Sequence, residues 1–346
     1  MKETLPFPAV LTEIESAAGL SAATARQAFD EILAGLWSPS QIAGLLVGLR
    51  SKPDSPRVVA AAAESLRAAM VSVKHHYEKL VDTCGTGGDG QRTLNLSTGA
   101  AIMLAAAGTR VAKHGNRAMS SRTGAADVLE QLGIPIDLGP EAAKNLLDEV
   151  GIAFLLAPTH HPAMRFAAPV RRELGVRTLF NCLGPLANPA SAKYQLLGAF
   201  SDKIRPVLAE TLRRLGTVKA WVVHSSDGLD EVSPFGPTHV TQLVDGELSE
   251  FEVTPEDFGL ERSERGAIAG AGPDYNAQVL LEVLAGNSHP SRDAFVLNAA
   301  AALVVAEAIP LREAAAQMQQ ILDSGAGLAK LTTWREAAVR QAVSAL

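Results

Sequence analysis

The stretch Asp82-Thr83-Cys84-Gly85-Thr86-Gly87-Gly88-Asp89 decides the fold. It follows the short apolar Leu80-Val81 and precedes Thr93-Leu94-Asn95-Leu96-Ser97-Thr98. Three glycines in four positions let the backbone turn tightly and come close to a ligand. Loops of this kind present N–H groups to an anion. Ser97 stands where a helix is expected to begin, ahead of Gly99-Ala100-Ala101-Ile102-Met103-Leu104. A helix N-terminus is itself an anion site. The stretch therefore reads as a pyrophosphate cradle. It also fits a plain strand-to-helix turn with Ser97 as N-cap. The dinucleotide fingerprint fits poorly, because the helix does not start inside the glycine run. A P-loop is excluded, since no Gly-Lys-Ser/Thr follows.

Working outward, the chain has 346 residues, which favours two domains or a domain with an added module. Apolar residues make up 47%, enough for a core, and aromatics only 5%, which favours close-packed helices. A net charge of −6 argues against a broad nucleic-acid surface. Cys84 and Cys182 have neither metal-ligand spacing nor a disulfide framework. Met1 to Val10 lacks a basic segment followed by an apolar run, so no signal peptide is expected. The Ala-rich run Asn298 to Ile309 is too short to span a membrane. The expectation is a cytoplasmic protein with no membrane or nucleic-acid partner.

Residues 1–72 read as helices. Ser21 caps one, Ser38-Pro39 opens a second and Ser55-Pro56 a third, from Val58 to Met70. Leu45, Leu46 and Leu49 fit either a subunit interface or the module's own core. From Lys79 short apolar strands alternate with helices, which favours a parallel α/β sheet. Strands are expected up to Asp82, at Arg110–Lys113, near Ile134–Ile136, and at Ile152–Leu156, Gln195–Phe200 and Lys219–His224. Asp245-Gly246 marks a hairpin between Thr238–Val244 and Leu248–Val253. Helices are expected from about Thr98, over Gly124–Gln131, Pro140–Val150, Pro162–Arg172 and Val207–Leu215. The end is helical: Ala277–Leu284, Arg292–Ala308, Leu311–Ile321, and from Thr333 onward. Asn181-Cys182-Leu183-Gly184-Pro185-Leu186-Ala187-Asn188-Pro189 reads as a crossover back to the helical module.

Three further constellations carry chemistry. Lys113-His114-Gly115-Asn116-Arg117 ends a strand, where α/β sheets place ligands. Lys113 suits a phosphate as a point charge; the bland reading is a solvated basic turn. Ser120-Ser121-Arg122-Thr123-Gly124 then opens another helix. His160-His161-Pro162 lacks a third ligand for zinc. Arg171 can hold a carboxylate bidentately, while Arg172 reads as a surface charge. Asp227-Gly228-Leu229-Asp230-Glu231 follows a strand, and its carboxylates can hold Mg²⁺ beside water and substrate phosphates; an acidic turn is the alternative.

Together these motifs, with His161-Pro162-Ala163-Met164, resemble the anthranilate phosphoribosyltransferase family from the N-terminal helices to about residue 335. The resemblance implies a small N-terminal all-helical domain plus a larger α/β domain with a central, mainly parallel sheet. Residues 1–73 would form the first, with 162–189 packed on it; 74–161 and 190–346 would form the second. It implies transfer of phosphoribose from phosphoribosyl pyrophosphate to the amine of anthranilate, in tryptophan biosynthesis, by a homodimer formed through the helical domain. Gly85, Thr86, Gly87, Gly88, Asp89, Thr93, Asn95, Leu96, Ser97 and Thr98 would hold phosphoribosyl pyrophosphate. So would Lys113, His114, Gly115, Asn116, Arg117, Ala118, Met119, Ser120, Ser121 and Ala125. Gly85, His114, Asn116, His161, Arg171 and Pro185 would line the anthranilate site. Ser97, Asp230 and Glu231 would bind Mg²⁺, two ions per subunit, with Lys113, Asp230 and Glu231 acting electrostatically. Gln91-Arg92 depart from the small residues expected in the loop, and Cys182 and Ala187 vary the crossover. Rivals of related architecture are a pyrimidine nucleoside phosphorylase and a nucleic-acid-binding relative. Asp230-Glu231 argues against the first and the acidic balance against the second.

Overall fold

The computed structural model describes residues 4–51, 55–118 and 123–344. The N-terminal helices are α1 (Phe7–Glu15), α2 (Ala22–Leu33), α3 (Pro39–Arg50) and α4 (Pro56–Ala68). Ser21 caps α2 through Thr24 N–H, and Ser38 with Gln41 forms a capping box on α3. Leu45 and Leu46 are fully buried within the chain. They fill this module's core, so a subunit interface cannot use them. Leu49 packs against the same core.

The α/β part follows as β1 (Val81–Gly85), α5 (Leu96–Ala106), β2 (Val111–Gly115), α6 (Ala125–Gln131), α7 (Pro140–Glu149) and β3 (Ile152–Leu156). Then come α8 (Ala157–His160), α9 (Ala168–Leu174), α10 (Phe180–Leu186), β4 (Tyr194–Gly198), α11 (Arg205–Arg214) and β5 (Lys219–Ser225). The hairpin β6 (Thr238–Val244) and β7 (Glu247–Val253) precedes α12 (Pro273–Leu284), α13 (Arg292–Glu307), α14 (Leu311–Asp323) and α15 (Ala326–Ser344). The sheet order is β3-β2-β1-β4-β5-β6-β7. β3 to β5 run parallel, and the β6–β7 hairpin closes one edge antiparallel. Helix α5 is buried nearly all round, as a helix at the centre of a core must be. Gly99 lets it approach α13, since a Cβ there would sit 2.3 Å from the Phe295 ring.

Several expectations change. Ile134–Ile136 is no strand, although both isoleucines are buried. Pro135 has no N–H for a ladder, and β3 is the sheet's end on that side. The expected helix Pro162–Arg172 breaks into a 3₁₀ turn, Pro162–Phe166, and α9, because Pro169 cannot bond back across the junction. The crossover holds a helix, α10, and the last helix starts at Ala326 rather than Thr333.

The crossover packs on the N-terminal module: Phe180 of α10 meets Phe29 of α2 edge-on at 5.5 Å. Their shared core continues through α11 to one face of β4 and β5, with Leu197, Leu208 and Val222 fully buried in it. No helix among the described residues is long and apolar enough to cross a membrane.

Candidate active site

The sheet order reverses direction between β1 and β4, and a crevice opens at the C-terminal ends of strands at such a point. The glycine run leaves β1 there. Gly87, Gly88 and Gly90 take φ of +64°, +79° and +78°, which disfavours a side chain. Gly85 is required by space instead: a Cβ would lie 2.7 Å from Asp230 Oδ2. Thr86 braces the loop on β4. Its N–H donates to Gly198 O at 2.8 Å, and its Oγ1 accepts from Phe200 N–H at 2.9 Å. The run does carry the letters G-x-G-x-x-G, but α5 begins only at Leu96, well past the last glycine.

At the start of α5, Asn95 is the N-cap residue and makes no side-chain cap. Ser97 lies inside the first turn, so the N-cap reading of Ser97 fails. Asn95 Oδ1 accepts from Asn276 Nδ2 at 2.9 Å. The Leu96 side chain is fully buried in the core. Thr98 has a buried hydroxyl with no partner, beside the orphan N–H groups of the helix start. Thr93 bridges to Ala269 and holds the loop's far end.

The acidic pair meets this loop. Asp230 Oδ2 accepts from Gly87 N–H at 2.9 Å, across 143 residues of sequence. Gly198 leaves room for the pair's backbone, since a Cβ there would sit 1.7 Å from Asp230 O. Asp230 and Glu231 keep some accessible surface, yet protein surrounds them on most sides. Burial, then the negative charge of Asp89, pushes the Asp230 carboxyl up to about 7. Burial, then Asp230, pushes Glu231 up to about 8. Asp89 Oδ2 is buried without a partner. Asp227 does not join them; it accepts from Ser233 Oγ at 2.6 Å and from Ser225 Oγ, holding the turn.

Lys113 is 1% exposed, and Nζ donates to Thr83 O and to Ser97 Oγ at 3.1 Å. Burial pushes its pKa down, against the pull of Asp82. The solvated-turn reading of Lys113 fails, because its side chain is buried and bonded inward. Three like charges with an orphaned oxygen, next to the Ser97 hydroxyl, fit a divalent cation. Among the described residues no preformed cage of three or more His, Cys, Asp or Glu groups exists. That suits Mg²⁺, which takes one or two carboxylates and fills its remaining positions with water and substrate phosphates.

The other wall has neutral imidazoles and one guanidinium. His114 N–H donates to Asp82 Oδ1 at 3.1 Å, and its Nδ1 pairs with Gly184 O of α10 at 2.9 Å. Its ring lies 5.1 Å from that of His161. Burial, then His161, pushes His114 down to about 3, and burial, then His160, pushes His161 to about 4. His114 Nε2 and both His161 nitrogens are buried without partners. His160 turns to Val71 O at 2.8 Å, so no zinc pair forms. Arg171 is half-buried on α9, 5.3 Å from the Phe180 ring, with no ion pair among the described residues. Burial lowers its pKa, a cost that an incoming carboxylate would offset. Pro185 sits in α10, and its carbonyl accepts from Gln195 Nε2 at 2.7 Å.

The run after Lys113 divides. Asn116 accepts from Arg117 N–H at 2.8 Å. Arg117 is paired with Glu130 at 2.7 Å, so its charge is already matched. Gly115 packs under Ala125, and Ala118 and Gly124 N–H groups both donate to Asp127 Oδ2, at 2.9 and 2.8 Å. Met119, Ser120 and Ser121 lie outside the described residues. Arg172 is exposed.

The roles of three residues escaped the sequence reading. Asp82 is fully buried and also accepts from Asn188 Nδ2 at 2.8 Å, tying β1, β2 and the crossover. Asn298 grips Val232 by N–H and C=O, at 2.9 and 3.0 Å, beside Glu231. A lone Asn in the apolar α13 was the available signal. Arg177 reaches the glycine loop from the crossover, where nothing local marked it.

Two family models match, described as "Glycosyl transferase family, helical bundle domain" over residues 10–70 and "Glycosyl transferase family, a/b domain" over residues 77–328. An anthranilate phosphoribosyltransferase of Rhodopseudomonas palustris (strain BisA53) is 46% identical over 328 residues, covering 94% of this chain and 96% of that one. The anthranilate phosphoribosyltransferase of Thermus thermophilus superposes with a TM-score of 0.89 at 39% identity, over 96% and 98% of the two chains. The Saccharomyces cerevisiae enzyme in complex with phosphoribosyl pyrophosphate and Mg gives 0.89 at 28% identity, over 96% and 98%.

Proposed function

We propose residue roles from the premise that the chain belongs to the anthranilate phosphoribosyltransferase family. The chain transfers the phosphoribosyl group of phosphoribosyl pyrophosphate to the amine of anthranilate, in tryptophan biosynthesis. The observation that carries the site assignment is the Gly87–Asp230 bond, which makes phosphate loop and acidic pair one cradle.

The glycine loop, Thr93, Asn95, the start of α5, the run from Lys113 to Ser121 and Ala125 hold the phosphoribosyl pyrophosphate. Lys113 acts through Ser97 and through its field. The enzyme binds Mg²⁺, and Ser97, Asp230 and Glu231 are its ligands, in two sites per subunit. When bound, Mg²⁺ neutralises charge that grows on the departing pyrophosphate. On the other wall, Arg171 takes the anthranilate carboxylate as a bidentate pair. Asn116 and the neutral His114–His161 pair, with Pro185 and Gly85, confine the aromatic ring and its amine.

The sugar's C1–O bond breaks toward the pyrophosphate, and the amine nitrogen forms the new bond to C1. Positive charge builds on the ring as negative charge leaves. The aryl amine is already neutral near pH 7, so no strong base is needed to create the nucleophile. Its surplus proton is acidic once the bond has formed and passes to water. Catalysis is then positioning and preorganised electrostatics.

The domain division follows residues 1–73 with 162–189, against 74–161 with 190–346. The Phe29–Phe180 contact supports it. A homodimer through the helical module completes the reading, covering exposed Leu36 and Val47.

The test is anthranilate fluorescence against time with purified protein, phosphoribosyl pyrophosphate and Mg²⁺, omitting each in turn. Decay is expected only with all three. Decay without added Mg²⁺ in chelator would sink the metal assignment.

A further inference from the structure

We propose that Arg177 is a further pyrophosphate-binding residue, a cation that exchanges the Gly88 carbonyl for a phosphate oxygen of the leaving group. The proposal rests on the phosphoribosyl-transfer reading above.

Arg177 lies on the crossover between α9 and α10, facing the glycine loop. Its Nη1 donates to Gly88 O at 3.3 Å. Its Cζ sits 4.6 Å over the Phe200 ring. Phe200 N–H in turn donates to Thr86 Oγ1 at 2.9 Å. The guanidinium is thus placed against both the tip and the root of the loop. A guanidinium carries five donors in a rigid fork, and a single long bond to a neutral carbonyl uses one. Stacking on the ring leaves the fork's edge free for a phosphate.

Charge points the same way. Arg177 meets no carboxylate among the described residues, and neither does Arg50. Both line one cavity of about 170 Å³ with Thr178, whose hydroxyl is buried and bonded to nothing. Arginines elsewhere in the fold, such as Arg117, Arg213 and Arg292, pair with acids. Arg177, matched by no carboxylate among the described residues, therefore stands against a loop that carries Asp89 and whose Gly87 N–H meets Asp230. A multiply charged diphosphate gathers cations from both sides. Arg177 suits it, because a guanidinium matches phosphate geometry bidentately where an ammonium does not. Exchange of the carbonyl for phosphate would also free Gly88 to settle over the ligand.

The experiment measures pyrophosphate binding by calorimetry with saturating Mg²⁺, and initial rates, on full-length wild type, Arg177→Gln, Arg177→Lys and Phe200→Leu. Pyrophosphate Kd and phosphoribosyl pyrophosphate KM should each rise about tenfold or more in Arg177→Gln, the size of one lost charge-assisted bond. Arg177→Lys should recover part of that, and Phe200→Leu should fall between. Anthranilate KM should stay within about twofold, since an aryl carboxylate has no bond here to lose. A pyrophosphate Kd unchanged in folded Arg177→Gln would overturn the proposal, even if kcat fell, because bracing the loop alone would move turnover or Tm without that Kd. Because the binding arm needs no acceptor, a wild type that binds pyrophosphate but leaves anthranilate untouched would fault the acceptor assignment and not Arg177.

Discussion

The two walls of the crevice are built on opposite electrostatic plans. The phosphate wall crowds Asp89, Asp230 and Glu231 together, with pKa values of about 7 and about 8 for the last two. The wall proposed for the acceptor holds His114 and His161 uncharged, at about 3 and about 4, and Arg171 half-buried over the Phe180 ring. The first wall carries like charges that only a cation and a polyanion together resolve. The second offers two neutral imidazoles and one guanidinium with no ion pair among the described residues. On the proposed roles, a ligand whose charge changes during the reaction would meet tunable groups, and a ligand that must only be positioned would meet fixed ones.

Removing a group from the phosphate wall should therefore give the largest effect. Glu231→Ala is expected to lower kcat by about 10²–10³-fold, the usual cost of losing one preorganised electrostatic partner of a leaving group. Mg²⁺ titrations of initial rate check it. Normal turnover with normal Mg²⁺ dependence would make the acidic pair a mere turn and dissolve the contrast between walls. On the acceptor wall, Arg171→Ala should raise anthranilate KM by about 10- to 100-fold, since a charge-assisted bond is worth about 1.5–3 kcal/mol. Phosphoribosyl pyrophosphate KM should hardly move. Arg171→Lys should recover little, because an ammonium cannot make the planar pair.

The walls also differed in how they could be read. The phosphate wall was legible as local runs: glycines with left-handed φ, a helix start, two adjacent acids. What sequence could not supply was their meeting, which depends on β1 and β4 being neighbours. Nor could it show that Lys113 turns inward to Ser97, because a strand-end lysine has no local mark of burial. The acceptor wall joins a strand end (His114), a helix start (His161), a later helix (Arg171) and the crossover (Pro185). Only the family resemblance gathered those four. The misread Ile134–Ile136 shows the limit of apolar pattern: burial was right, yet Pro135 and the lack of a pairing edge denied it a ladder. Asp82 and Asn298 stayed hidden because a buried polar residue looks like any other until its partners are placed.

pH should separate the walls by a smaller margin. If Asp230 and Glu231 hold the Mg²⁺, it displaces their protons, so the Mg²⁺ needed for half-maximal rate should rise by up to about tenfold per unit for each proton displaced as pH falls from about 8 toward about 6. Over the same range anthranilate KM should stay flat, because His114 and His161 remain neutral. Stability carries the matching signs. The raised carboxyls bind more protons folded than unfolded, so metal-free protein loses stability as pH climbs from the ordinary carboxylate range through about 8. The lowered histidines bind fewer protons folded, so stability falls as pH drops below their unfolded value, about 6.5. Melting curves in chelator and in Mg²⁺ check both. A loss on the alkaline side that Mg²⁺ fails to remove would mean the acids do not face a metal.

The smallest effect should come from the loop tip, and it tests whether the phosphate wall depends on backbone shape as well as charge. Gly88 has φ +79° and open space around a would-be Cβ. Gly88→Ala therefore meets no clash, and its cost is the left-handed conformation alone, about 1 kcal/mol. Expressed in substrate binding, that is about a fivefold rise in phosphoribosyl pyrophosphate KM. Anthranilate KM and Mg²⁺ dependence should hold, because neither Arg171 nor the acidic pair touches that Cβ position. Gly85→Ala offers the contrast, with its Cβ directed at Asp230 Oδ2. If Gly88→Ala disturbed Mg²⁺ dependence as much as Gly85→Ala, the tip would be coupled to the acids rather than serving as a backbone cradle, and shape and charge on that wall would be one property.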